Sequence, residues 1–268
     1  MGKAYNEMSY VEVAARYNDI NDIPPQASEA LGQATAELVG ENATILDLGA
    51  GAGRISVPIA KYTNMIAVDI EHHMQLAAKQ LAAAQGIPIT PSVGTVLQLP
   101  FADNTFDAVI TSNVLHQIEA WRDALEEVAR VLKPDGVFVI GRDLLDEDSC
   151  AGKMRSASRR FTAEVAPDYQ PTDAAGPTLF EFIGKMGGRP GRPVTACSWT
   201  EIESPRSILK KMQDRLHNET WSLDDEKLAG LMSLMTPWVK EHFPDLDKQE
   251  EIKWEFALYP IVGMTAVG

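Results

Sequence analysis

Residues 45–53 read ILDLGAGAG. An apolar run carries one acid, Asp47, and glycine then stands at alternate positions, Gly49, Gly51 and Gly53. A short apolar run leading into bare glycines is the sequence form of a strand feeding a sharp turn, with side chains removed so that a ligand can touch the backbone. RISVPIAKY follows and reads as a helix, with Pro58 tolerable near its start, where amide donors have no intrahelical partner. In an open α/β sheet a ligand sits beyond the carboxyl end of such a strand, and the next helix turns a partly positive N-terminus towards it.

The rhythm continues outward. QASEALGQATAELVG reads as a helix stopped at Gly40. MIAVDI is a strand, HMQLAAKQLAAAQG a helix, IPITPSVGT a weaker strand and FDAVITSN a strand. WRDALEEVARVLK is an amphipathic helix, PDG a turn and VFVIGRD a strand. Strands alternating with helices of this length imply parallel βαβ units in a doubly wound sheet. Beyond about residue 144 helices dominate: DSCAGKMRSASRRFTAEVAP, TLFEFIGKM, PRSILKKMQDRL and DDEKLAGLMSLM, the last continuing past Pro237. VTACSWTEI and IKWEFALYPIVGMTA read as strands. The expected organisation is one overall domain: an N-terminal helical lid at 1–40, a cofactor-binding α/β core at 41–145, and substrate-shaping helices with the last sheet strands at 146–268.

Charge narrows the partners. The formal net charge is −14, which repels polyanions, so nucleic acid and anionic membranes are poor partners. No stretch is apolar enough to span a bilayer, and MGKAYNEMSY lacks the apolar core of a signal peptide. The two cysteines, Cys150 and Cys197, offer neither a disulfide framework nor zinc spacing. A reduced, cytoplasmic protein with no metal is expected.

The glycine spacing then separates two kinds of ligand. A dinucleotide site wants G-x-G-x-x-G, but here Arg54 stands where the third glycine would be. With Asp47 before the turn, this favours a ligand with an amino-acid group, whose ammonium needs an acid and whose carboxylate accepts amides. Asp69 lies 22 positions after Asp47, close to the offset of a ribose-binding acid, and Ile70 can lie against an adenine face.

ILDLGAGAGR, AVDI, LQLPFADNTFDAVITSNVLHQI and ALEEVARVLKPDGVFVI together resemble, in order and spacing, the class I S-adenosylmethionine-dependent methyltransferases. The chain looks most like their small-molecule branch, which includes the quinone C-methyltransferases. The resemblance covers roughly residues 40–145. It implies a Rossmann-like sheet of seven mostly parallel strands with an antiparallel last strand, N-terminal lid helices and a helical insertion. It also implies S-adenosyl-L-methionine as cofactor. Gly49, Ala50 and Gly51 would line its methionyl part, Asp69 its ribose, and Val96 and Leu97 its adenine, with one of their amides facing the ring. Asn113 and His116 would stand beside the sulfonium and substrate, and Tyr17 in the leading segment would close over the cofactor. Many relatives carry an acid where this chain has Thr95, so adenine would be held more weakly or in another orientation.

Methyl transfer from a sulfonium is an in-line displacement that mainly needs alignment; a base is required only when the nucleophile must lose a proton. His116 is the best base candidate, because an imidazole titrates near neutrality. Arg159 and Arg160, in a basic cluster after the fifth strand, are candidates for an anionic substrate. The expected activity is methyl transfer to oxygen, nitrogen, carbon or sulfur of a small molecule. The rivals are an NAD-dependent oxidoreductase and a non-catalytic module that binds S-adenosylmethionine.

Overall fold

The computed structural model describes residues 23–167, 172–174, 176–216, 220 and 223–266. Helix α1 (Pro25–Val39) begins with proline at its first position and stops at Gly40, whose φ of 100° only glycine adopts freely. The alternating part follows as β1 (Thr44–Leu48), α2 (Ser56–Ala60), β2 (Asn64–Asp69), α3 (His72–Ala84), β3 (Thr90–Val93), β4 (Phe106–Ser112), α4 (Trp121–Val131) and β5 (Leu132–Leu145). The chain continues through α5 (Cys150–Val165), α6 (Gly176–Lys185), β6 (Arg189–Pro190), β7 (Val194–Glu203), α7 (Pro205–Gln213), α8 (Asp225–His242) and β8 (Glu250–Val262).

The sheet order is β3-β2-β1-β4-β5-β8-β6, with β7 also pairing β8. Strands β1 to β5 pair in parallel, and β6 pairs antiparallel with β8. The chain winds outward from β1 through β2 to β3, then returns to lay β4 on the other side of β1. This reversal opens a crevice at the carboxyl ends of β1 and β4, where open α/β sheets take their ligands. The expected doubly wound, mostly parallel architecture is present. Its seventh position is shared by β6 and β7, which both pair with β8; Pro190 and Pro193 cannot donate to a ladder, and between them Gly191 donates to the Pro260 carbonyl of β8 at 2.8 Å.

One turn read from the sequence is absorbed into a strand. Phe106 pairs with Leu132 and Ala108 with Val137, so Lys133–Gly136 bulges out of β5 rather than ending it.

Contacts divide the chain into two compact units. Among the described residues, one holds 23–143, 172–174, 176–197 and 256–266; the other holds 144–167, 198–216, 220 and 223–255. The sheet unit is built on Leu46, Leu48, Val68, Phe106, Val109, Leu125 and Phe138, all buried, with Trp121 fully enclosed. The other unit has its own core of Met154, Ile208, Met212, Leu231, Met235, Val239 and Ile252. The methionines at 212 and 235 are therefore packing residues, with Met232, Trp238 and Trp254 at the edge of that core. No helix among the described residues is long and apolar enough to cross a membrane.

Candidate functional site

The turn after β1 is built on three left-handed glycines: Gly49 has φ 74°, Gly51 φ 53° and Gly53 φ 85°. A Cβ on Gly49 would come within 2.3 Å of Val114 Cγ2, so side-chain removal here also lets the segment after β4 close over the turn. The turn's amides are already used. Gly49 and Ala50 both donate to the Val68 carbonyl, Gly53 to the Ala50 carbonyl, and Gly51 to Asp69 Oδ2 at 2.8 Å. Helix α2, with five residues, contributes little dipole. The expectation that these amides receive a ligand's carboxylate is therefore corrected. The turn is not a cluster of spare donors, which makes it a poor cradle for a pyrophosphate.

Asp47 also departs from expectation. Its side chain is 2% exposed, and Ser56 Oγ donates to its Oδ2 at 2.5 Å. It lies beneath the turn and ties it to the start of α2, so it is not displayed to a ligand ammonium. Burial pushes its carboxyl up to about 7, opposed by the Ser56 hydrogen bond.

Asp69, at the end of β2, is set differently. Gly51 donates to one oxygen and the Glu71 amide to the other, at 2.8 and 2.9 Å. Burial raises its pKa, and these backbone hydrogen bonds oppose the rise. Each carboxylate oxygen takes one amide and has a lone pair left to accept a hydroxyl, the geometry a vicinal diol needs. Beside it, Ile70 is 69% exposed; Val93, paired with Asp69 across β2 and β3, is 51% exposed. Leu97, in the loop after β3, is also exposed. Large apolar side chains left in water beyond strand ends are surface that a flat apolar ring would cover.

The Leu97 amide, one of the two expected to face an adenine, donates to Thr95 Oγ1 at 3.2 Å. Val96 packs against the sheet core. Arg130 anchors the segment that follows: it donates to the carbonyls of Leu99 and Phe101, while Glu127 accepts the Leu99 amide at 2.7 Å.

At the end of β4, Asn113 is exposed with a left-handed φ of 57°, and its Nδ2 donates to Asp143 Oδ2 at 3.1 Å. His116 lies in a short 3-10 turn, Leu115–Gln117, half-buried, with its carbonyl accepting the Thr172 amide. Gly49, Ala50, Gly51, Asp69, Ile70, Val93, Leu97, Asn113 and His116 all belong to the sheet unit, at or just past the carboxyl ends of β1 to β4. Arg159 and Arg160 are on an exposed face of α5 in the other unit, where Arg160 lies over the Phe161 ring. Tyr17 and the expected lid lie outside the described residues. Cys150 and Cys197 are buried, and burial pushes both thiols up to about 11, so neither is a ready nucleophile.

Three participants escaped the sequence reading. Ser56 supports Asp47. Arg54, read only as an obstacle to a dinucleotide, makes a two-pronged ion pair with Asp143 at 2.6 and 3.0 Å. The lone signal for Asp143 was its place at the end of a strand.

A glycine turn after the first strand, an acid held by two backbone amides after the second and exposed apolar side chains beyond it stand together at the strand ends of a doubly wound sheet. Residues 46–140 match the methyltransferase domain family. The methyltransferase YcgJ of Bacillus subtilis is 33% identical over 145 residues, 53% of this chain and 57% of that protein. The mouse mitochondrial arginine-hydroxylase NDUFAF5 is 35% identical over 165 residues, 59% of this chain and 44% of that one. The demethylmenaquinone methyltransferase of Corynebacterium glutamicum is 42% identical over 97 residues, 36% of this chain and 40% of that one. The solved structure of B. subtilis YcgJ superimposes with a TM-score of 0.56 at 20% identity, covering 89% of this chain and 99% of that one. The chain spans about half the length of the curated relatives it matches. Residues 46–140 are thus similar to a class I S-adenosylmethionine-dependent methyltransferase domain, and S-adenosyl-L-methionine is the cofactor such a domain implies. The residues present fit that group: Asp69 keeps acceptor capacity for a ribose, and Ile70, Val93 and Leu97 offer apolar cover.

Proposed function

We propose that this protein is an enzyme that transfers a methyl group from S-adenosylmethionine to oxygen, nitrogen, carbon or sulfur of a small-molecule acceptor. The observation that carries the reading is the Asp69 carboxylate, oriented by one backbone amide on each oxygen beside a turn stripped of side chains. When bound, the cofactor supplies a methyl on a positively charged sulfur that is already a good leaving group. The chain's own work is then to hold and align. Asp69 accepts the ribose hydroxyls, Ile70 and Leu97 cover the adenine, and the backbone of Gly49–Gly51 receives the amino-acid part. Asp47, bonded to Ser56, keeps the turn in shape. Asn113 stands beside the cofactor, and His116 faces the acceptor, taking a proton when the acceptor has one to lose.

The oxidoreductase alternative loses support from the turn itself, since the amides of Gly49, Ala50, Gly51 and Gly53 are all donated within the protein. The similarity to demethylmenaquinone methyltransferase makes quinone-like acceptors the first to try. Titration calorimetry with S-adenosylhomocysteine and with NAD tests the cofactor, and transfer of a labelled methyl to a panel of small acceptors tests the activity. Binding of S-adenosylhomocysteine without NAD, followed by labelled product, is expected. Binding of NAD alone overturns the reading. Cofactor binding with no labelled product from any acceptor favours the non-catalytic module.

A further inference from the structure

Asp143, near the end of β5, gathers partners from the segments that follow β1 and β4. Its Oδ1 lies 2.6 Å from Arg54 Nη2; its Oδ2 lies 3.0 Å from Arg54 Nη1 and 3.1 Å from Asn113 Nδ2. The Arg54 and Asp143 side chains are only 14% and 13% exposed, so this fork is largely shielded from water. Arg54 is the first residue after the glycine turn, and Asn113 is the first after β4. One carboxylate therefore ties together the ends of β1, β4 and β5.

The chemistry of the pair fixes an orientation. A carboxylate can only accept, so Asn113 must turn its amide nitrogen to Asp143, which leaves its amide oxygen for a ligand. The backbone of Asn113 is constrained as well. It holds a left-handed conformation, and Gln117 Nε2 donates to its carbonyl at 2.7 Å. A strained, exposed residue held from two sides at a strand end is the usual setting of a group that must meet a ligand in one pose.

We propose that Asp143, clamped by Arg54, is a positioning residue that acts through Asn113, locking its amide so that the oxygen accepts a hydrogen from the amino-acid end of the methyl donor. This rests on the cofactor assignment above. It also gives Arg54 a use: the side chain that excludes a dinucleotide turn links the donor turn to the strand ends on the acceptor side.

The test is a double-variant cycle on the full chain, read as the dissociation constant of S-adenosylhomocysteine. Asn113→Ala and Asp143→Asn should each weaken binding about tenfold, a loss typical of one hydrogen bond to a charged partner. Asp143→Asn should add nothing in the Asn113→Ala background. A merely structural Asp143 would weaken binding equally in both backgrounds, and that result overturns the proposal, as does native affinity in Asn113→Ala. Should Asp143→Asn fail to fold, Arg54→Lys keeps the charge but loses the fork; it should weaken binding in the native background and not in Asn113→Ala. If the unaltered protein binds no S-adenosylhomocysteine, the cofactor assignment itself fails, an outcome distinct from the others.

Discussion

Asp47 and Asp69 stand at the ends of adjacent strands, yet their surroundings give them different work. Asp69 keeps two backbone donors and capacity to spare, whereas Asp47 is sealed in with one hydroxyl. Asp47 carries a cost that depends on pH. In the unfolded chain its carboxyl titrates near 4, whereas in the folded protein burial lifts it to about 7. Between those values the folded state holds a proton that the unfolded chain has released. Asp47 therefore subtracts stability as pH rises from about 4 to about 7, and the loss is complete above that. The full difference is at most about 4 kcal/mol. Asp47→Asn keeps the shape and an acceptor for Ser56 but cannot ionise. Its stability relative to the native protein should thus rise by a few kcal/mol between pH 4 and pH 8, measured by urea unfolding. Equal slopes for both proteins would show that Asp47 stays charged when folded. At this scale the sequence was legible where the signal was local: the glycines, the acid after the second strand and the exposed Ile70 stood in one short span. It was silent on Arg54 and Asp143, which are 89 positions apart and meet only once β1 and β5 share a sheet. It misjudged Asp47 because spacing shows that an acid precedes a turn, not which way its side chain is buried.

Among the elements, α4 braces the loop that follows β3. Arg130 near its C-terminus donates to Leu99 and Phe101 carbonyls and pairs with Asp103 and Glu127, while Glu127 accepts the Leu99 amide. The segment from Leu99 to Asp103 is thereby stapled to the helix, next to Leu97, which is proposed to cover the adenine. The planar guanidinium serves several acceptors at once, which an ammonium cannot reproduce. Arg130→Lys should cost about 1–2 kcal/mol of stability, since the group is partly screened by water. It should also weaken S-adenosylhomocysteine binding several-fold through a loosened loop. Unchanged affinity despite lower stability would show that the loop's position does not matter to the ligand. The alternation of strands and helices that built this half was plain in the sequence, because each element has one dominant period. The bulge at Lys133–Gly136 and the break between β6 and β7 were not, since a proline–glycine stretch looks alike whether it ends a strand or interrupts one.

At the scale of the molecule, two cores imply two stabilities. The sheet unit holds the glycine turn, Asp69 and Asn113, whereas the other unit closes on Met154, Met212, Leu231, Met235 and Val239. A group of elements with its own core can open as a unit with its own free energy. A ligand that binds only the sheet unit stabilises only the states in which that unit is folded, by a factor of about 100 when supplied at 100 times its dissociation constant. Amide hydrogen exchange can read this segment by segment. With S-adenosylhomocysteine at that excess, the slowest amides of β1, β2 and β4 should exchange up to about 100 times more slowly. Those of α5 and α8, which open with their own core, should keep their rates. The opposite pattern, with α5 and α8 slowed as much as β1, would mean that the two cores open only together. The helices that follow β5 would then belong to the ligand's folding unit, and an acceptor preference built into them would be inseparable from the stability of the donor site.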